Sequence, residues 1–199
     1  MSKTLGCVIA LVLVAVLVGV WAMGQYNGLV GAEQDVSKQW SQVESVYQRR
    51  ADLIPNLVAT VKGAANFEQE TLTKVVEARS KVGQMTVGAD VLNDPGKFAQ
   101  FQAAQDELSG ALSRLMVVVE RYPELKAVAN FTDLQHQLEG TENRITVERQ
   151  RFNEVAKSYN TMLKQVPRAW FVKLLGWNFQ EKPYFQAQQG AAEAPKVQF

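Results

Sequence analysis

The apolar positions of this chain follow two different patterns. Residues 5–23, LGCVIALVLVAVLVGVWAM, form an unbroken run without a charge. From residue 29 onward the apolar residues recur every three or four positions instead. Val36, Trp40, Val43, Tyr47, Arg50, Ile54, Leu57 and Val61 make an a/d seam over about four heptads, in which Arg50 is the polar exception. Pro55 lies inside the seam, yet the spacing passes it without a phase slip. A broken helix could restart in any phase. The pattern therefore predicts one long helix over about 24–64, kinked at Pro55 and continuous with the apolar run. Pro55 lacks the N–H that would bond the Ala51 carbonyl.

Three further helices are expected. Gly63 punctuates the chain, and Asn66 is placed to cap a second helix over about 67–84. Leu72, Val75, Val76, Arg79 and Val82 would lie on one side of it. The stretch TVGADVLNDP reads as a connection, ending in Asp94 as cap and Pro95 in the first turn of a third helix. That helix carries Phe98, Phe101, Gln105, Leu108, Leu112, Leu115, Val119 and Tyr122, and stops near Pro123. Thr132 and Gln135 match a capping box for a fourth helix. Its seam is Leu134, Leu138, Thr141, Ile145, Glu148, Phe152, Val155, Tyr159, Met162 and Val166. No strand pattern competes. The expected fold is all-α, an N-terminal transmembrane helix followed by an antiparallel four-helix bundle. The divisions are a short tail at 1–4, the span at 5–23, the bundle at 24–167, an aromatic-rich segment at 168–185 and a flexible tail at 186–199.

Arg50, Gln105 and Glu148 are polar residues at core-phase positions of three different helices. An unpaired buried charge costs several kcal/mol, so such residues normally meet partners. Arg50 is expected to pair with a seam acid, most simply Glu148, in a polar layer that fixes register. The competing reading is a wide seam whose long side chains snorkel to its edge.

The run at 5–23, at about 1.5 Å per residue, nearly matches the roughly 30 Å hydrocarbon thickness, and only a helix satisfies its backbone there. Trp21 and Tyr26 sit at its downstream edge, where amphipathic rings favour the interface. Val20-Trp21-Ala22 is a tolerable signal-peptidase site, but the run exceeds an ordinary h-region and the basic n-region is thin. Cys7 follows Gly6 as in a lipoprotein anchor, yet its apolar stretch comes after it; the plainer reading is a small lipid-facing residue. With one cysteine the redox compartment is unreadable. Lys3 precedes the span and Lys38 is the first basic residue after it. The positive-inside rule then places the large domain on the extracytoplasmic side.

Charge adds little. The 21 basic and 20 acidic side chains nearly cancel, so no strong field favours nucleic acid. A catalytic constellation is equally hard to assemble. His136 is the single histidine, and HExxH, GxxxxGK[ST], GxGxxG and GxSxG are all absent. His136 reads as a polar-face helix residue, since a catalytic base needs converging partners. Glu68, Glu70, Glu77 and Arg79 read as a solvated face with ordinary i,i+3 and i,i+4 pairs. No cofactor, no metal and no small-molecule substrate is expected. The segment RAWFVKLLGWNFQEKPYF is less bland. Trp170, Phe171, Trp177, Phe179, Tyr184 and Phe185 crowd into it. It could lie at a membrane interface with Arg168, Lys173 and Lys182 near headgroups, dock a neighbouring subunit, or fold back over the bundle end. Bundle ends need covering, which favours the last.

With these residues in view, the chain resembles the LemA family of bacterial membrane proteins. The resemblance is carried by Tyr26-Asn27-Gly28-Leu29-Val30, by Trp40, by the stretch YQRRADLIPNLV at 47–58, and by Thr60-Val61-Lys62-Gly63. Further pieces are Thr71-Leu72, Ala78-Arg79, Tyr122-Pro123-Glu124-Leu125-Lys126, Asn130-Phe131 to Leu138, Thr141-Glu142-Asn143-Arg144-Ile145, Tyr159-Asn160 and Pro183-Tyr184-Phe185. The chain departs from the family where Val166-Pro167 replaces an aromatic-proline pair and where Trp170-Phe171 replaces an aromatic-poor stretch. The resemblance implies one N-terminal membrane helix, an all-α domain, no established catalysis and no defined ligand. It also implies company with membrane proteases of the heat-shock type. The functional expectation is a non-enzymatic, membrane-anchored scaffold in the bacterial inner membrane that forms homo-oligomers. The alternative is an adaptor for a membrane protease or other envelope enzyme.

Overall fold

The computed structural model describes residues 3–63, 68–85, 88–126 and 128–187. Among them every regular element is helical: α1 (Lys3–Lys62), α2 (Gln69–Gly83), a 3-10 turn (Ala89–Asn93), α3 (Pro95–Val119), α4 (Pro123–Lys126), α5 (Ala129–Lys164) and α6 (Arg168–Leu174). The expected cap at Asn66 and the tail from 188 onward lie outside the described residues.

α1 is one helix of 60 residues, and Pro55 lies inside it. The three-and-four rhythm through Pro55 thus has its counterpart in an unbroken backbone. The apolar run belongs to the same helix, which is long and apolar enough to cross a membrane. Most of that run is exposed.

α5 packs along α1 in the opposite direction. Gln39 meets Glu148 and Arg50 meets Glu142, so rising numbers on one helix pair with falling numbers on the other. α2 and α3 are likewise antiparallel, tied by Lys81–Glu107 at 2.6 Å and Arg121–Glu68 at 2.9 Å. α3 starts as expected: Asp94 accepts from the Gly96 and Lys97 amides, and Pro95 opens the helix. α5 starts earlier than expected. Its N-cap is Val128, and Thr132 lies inside the helix instead of capping it. α2 buries Thr71, Leu72, Val75, Ala78 and Val82. Val76, grouped by the pattern with Leu72 and Val75, is exposed, as is Arg79.

The core has two apolar compartments. One gathers Ile54, Leu57, Val61, Leu72, Val75, Leu108, Leu112, Leu115 and Phe131. The other, nearer the apolar run, gathers Leu29, Val36, Trp40, Val43, Tyr47, Phe98, Phe101, Phe152, Tyr159 and Phe185. α2 serves the first compartment only. In the second, Val91 and Leu92 from the 3-10 turn and Phe185 from the C-terminal segment complete the packing.

Candidate functional site

Between the two compartments lies Arg50, fully buried. Its Nη1 donates to Ser109 Oγ at 2.6 Å and to Glu142 Oε1 at 2.8 Å. Its Nη2 donates to the Gln105 carbonyl at 3.3 Å and also to Gln105 Oε1. Tyr47 lies one turn earlier, its ring 5.2 Å from the guanidinium carbon. One side chain from α1 thereby braces α3 and α5. A guanidinium suits the position because its donors diverge in a plane toward several acceptors.

The acid in this brace is Glu142, not Glu148. Glu148 is partly exposed and binds Gln39 Nε2 at 2.6 Å and Arg151 at 2.8 Å. Position 148 lies at the α1-facing edge of the α5 face that buries Thr141, Ile145 and Phe152, where Gln39 holds its carboxylate. Glu142, one residue past Thr141, reaches in from the α3 side. A second brace sits beside the first. Arg149 donates to Asp106 Oδ1 at 2.9 Å and to Tyr47 Oη at 2.5 Å. Burial pushes the Tyr47 phenol above its ordinary pKa, against the pull of Arg149.

The C-terminal segment makes the other notable construction. After α6, Gly176 adopts φ 65°, a left-handed turn that glycine accommodates freely. Residues 177–187 then run without regular structure along α5 and α3. Three side-chain amides hold this strap by its backbone. Asn160 Nδ2 donates to the Lys182 carbonyl while the Lys182 amide donates to Asn160 Oδ1, both at 2.8 Å. Asn153 and Phe185 make the same reciprocal pair at 2.9 Å in each direction. Gln102 and Gln186 repeat it at 2.9 and 3.1 Å. Each amide imitates a neighbouring β-strand, satisfying both polar groups of a residue that no sheet serves.

Two strap side chains enter the fold. Phe185 lies against Phe98 at 4.8 Å and against Phe152 at 5.5 Å. Lys182, only 5% exposed, is bound by Glu33 Oε1 and Asn93 Oδ1 at 2.7 Å each. Burial, with a smaller push from Glu33, drives the nearby Tyr159 phenol well above its ordinary range. Beyond the strap the space between α3 and α5 stays open as a groove of about 1370 Å³, with Ser109, Gly110 and Ser113 on one wall and Glu142 and Asn143 on the other.

The aromatic residues separate into different roles. Trp21 packs edge-on against Phe171 at 5.4 Å. Tyr26 meets Trp177 at 5.0 Å and Phe179 at 5.5 Å. Trp170 points outward and is largely exposed. His136 is exposed on α5. Among the described residues no group of three or more His, Cys, Asp or Glu could hold a metal ion. Sequence reasoning passed over Glu142 as the partner of Arg50 and over the three amides, and it offered Lys182 to headgroups, whereas the ammonium is buried against Glu33 and Asn93. A signal for the amides was present: Asn153 and Asn160 are seven residues apart, two turns on one face.

Helices braced through a buried arginine, strapped by their own C-terminal segment and carried on one apolar helix define an all-helical protein of the membrane-anchorable class. A LemA family model matches residues 39–199, and the chain belongs to the LemA family. Among relatives, it is 27% identical over 179 residues to "Magnetosome protein MamQ 2" of Paramagnetospirillum magneticum, and 26% identical over 179 residues to "Magnetosome protein MamQ" of Magnetospirillum gryphiswaldense. Both matches cover 80% of this chain and 66% of the relative, just under two thirds of its length. "Protein LemA" of Metamycoplasma hominis is 25% identical over 141 residues, covering 71% of this chain and 60% of the relative.

Proposed function

We propose that this protein is a non-enzymatic scaffold, anchored in the bacterial inner membrane by residues 5–23, whose helical domain is a four-helix bundle that self-associates on the extracytoplasmic side. The observation that carries this reading is the continuity of α1 from the apolar run through the whole core. A single helix ties the anchor to the bundle, so copies that meet through their helix faces present their anchors in a fixed relation. Arg50 and Arg149 tie α1, α3 and α5 to each other through interior polar contacts, which suits a load-carrying domain. Size measurement of the full chain in mild detergent tests the proposal: concentration-dependent oligomers are expected, and a strictly monomeric profile at every concentration overturns it.

The open groove between α3 and α5 favours a second reading, an adaptor for a membrane protease or other envelope enzyme. Its walls mix polar and apolar side chains, and the strap lines part of it without closing it. Crosslinking from the exposed Arg49 or Lys62 separates the two readings, since self-adducts alone exclude the adaptor.

A further inference from the structure

α6 buries none of its residues. Trp170, Leu174 and Leu175 are 66, 80 and 53% exposed, a concentration of bare apolar surface that a domain surrounded by water does not ordinarily keep. The position of α6 explains it. Arg168 Nε donates to Gln25 Oε1 at 2.6 Å, and three residues later Phe171 packs on Trp21. α6 therefore descends alongside α1 toward the apolar run, one turn of α6 matching one turn of α1. The chain reverses at Gly176, and Trp177 returns to the level of Tyr26. Ala22 is 9% exposed while its neighbours Trp21 and Met23 are 46 and 69% exposed. The tip of this hairpin is Leu174–Leu175, and it lies on the membrane side of Gln25.

We propose that α6 and the Leu174–Leu175 tip enter the boundary between headgroups and acyl chains as a second membrane contact, lying beside the spanning helix. The proposal rests on the reading that residues 5–23 cross the bilayer. That run is about as long as the hydrocarbon is thick, which puts Trp21 at the boundary. Whatever packs on Trp21 from outside the helix shares its depth. Trp170 offers an amphipathic ring suited to that depth, and Arg168 and Lys173 place cationic ends where anionic headgroups lie. Lipid is the occupant because the bare surface is continuous with the exposed face of the run itself.

Nitroxide labels on the full chain in vesicles of phosphatidylethanolamine and phosphatidylglycerol test this. Single cysteines are introduced as Leu174→Cys, Leu17→Cys and Val117→Cys in a Cys7→Ala background. Oxygen, which concentrates in lipid, and a water-soluble nickel chelate then compete to relax each label. The Leu174→Cys label should show an oxygen-to-nickel ratio severalfold above that at Val117→Cys, an exposed site in the compartment remote from the run. A ratio equal to that at Val117→Cys overturns the proposal. Protection from both reagents also overturns it, because protein, such as a second copy, would then cover the tip. The Leu17→Cys label separates the two layers of argument. If it reads water, the spanning helix fails and the proposal with it; if it reads lipid while Leu174→Cys reads water, only the interfacial hairpin fails.

Discussion

Arg79 Nε on α2 donates to the Ala51 carbonyl on α1 at 3.1 Å. Ala51 is four residues before Pro55, so its carbonyl is the acceptor that the imino acid leaves without its helical donor. The vacancy is thus filled from a different helix, and the discontinuity in the α1 ladder becomes a joint between α1 and α2. Arg79, although exposed, has an interhelical role.

This joint makes the effects of Pro55 and Arg79 interdependent. Arg79→Ala should cost about 0.5–1.5 kcal/mol in the parent chain, the range for an ordinary hydrogen bond, since the contact is exposed. In a Pro55→Ala background residue 55 regains its N–H, Ala51 regains a local donor, and the cost of Arg79→Ala should fall toward zero. Denaturant unfolding of the four proteins of this double-mutant cycle measures the coupling.

The Arg50 brace gives a sharper contrast. Arg50→Ala should cost about 3–5 kcal/mol, since it leaves buried acceptors without their cation. Glu142→Ala should cost less, about 1–3 kcal/mol, because the carboxylate is 38% exposed and the guanidinium keeps Ser109 and Gln105. Glu148→Ala removes only rim contacts and should stay within about 1 kcal/mol. Equal losses for Glu142→Ala and Glu148→Ala in denaturant unfolding would contradict the assignment.

The strap should detach in steps. Asn160→Ala and Asn153→Ala each remove a reciprocal amide pair, so hydrogen exchange at the Lys182 and Phe185 amides should accelerate by at least tenfold while α1 amides below Arg50 stay protected. Phe185→Ala should cost about 3–5 kcal/mol of stability by emptying its place among Trp40, Phe98 and Phe152. Exchange read by mass spectrometry distinguishes local release from global unfolding.

Alkaline pH should loosen the fold through two phenols. Tyr47 and Tyr159 both have pKa values raised by burial in the folded state. The unfolded chain ionises them near pH 10, the ordinary phenol value, while the folded chain still holds their protons. Their contribution is complete below about pH 10 and declines as pH climbs above it. In Tyr159→Phe the decline should be shallower, as followed by unfolding midpoints between about pH 9 and 11.

The seam of α1 was readable because thirty or so residues keep one rhythm, and a proline that preserves phase preserves the helix. The partner of Arg50 was not. Pairing depends on azimuth, and an α-helix drifts by about 20° per heptad relative to a strict seven-residue repeat. Over α5 that drift places Ala156, Asn160 and Leu163 inside, leaves Val155 and Met162 partly exposed, and carries Glu148 to the rim. The strap was illegible for a different reason. An extended segment fixed by side-chain amides has no period of its own, and Lys182 gives no sign in sequence that Glu33, 149 positions away, will pair with it. The aromatic crowding of the segment was visible, but the inward turn of Phe185 and the outward exposure of Trp170 follow from geometry that only the folded chain contains.

The unbroken first helix also has a mechanical consequence. Lys62 lies about 60 Å beyond Met23 along the axis. A change of membrane tilt by about 20°, within the range that spanning helices show, would sweep that far end sideways by about 20 Å. With residues 5–23 across a bilayer, hydrocarbon thickness, which influences the tilt, would be converted into lever motion, and the helical domain would become a pointer whose reach depends on the lipid around its base.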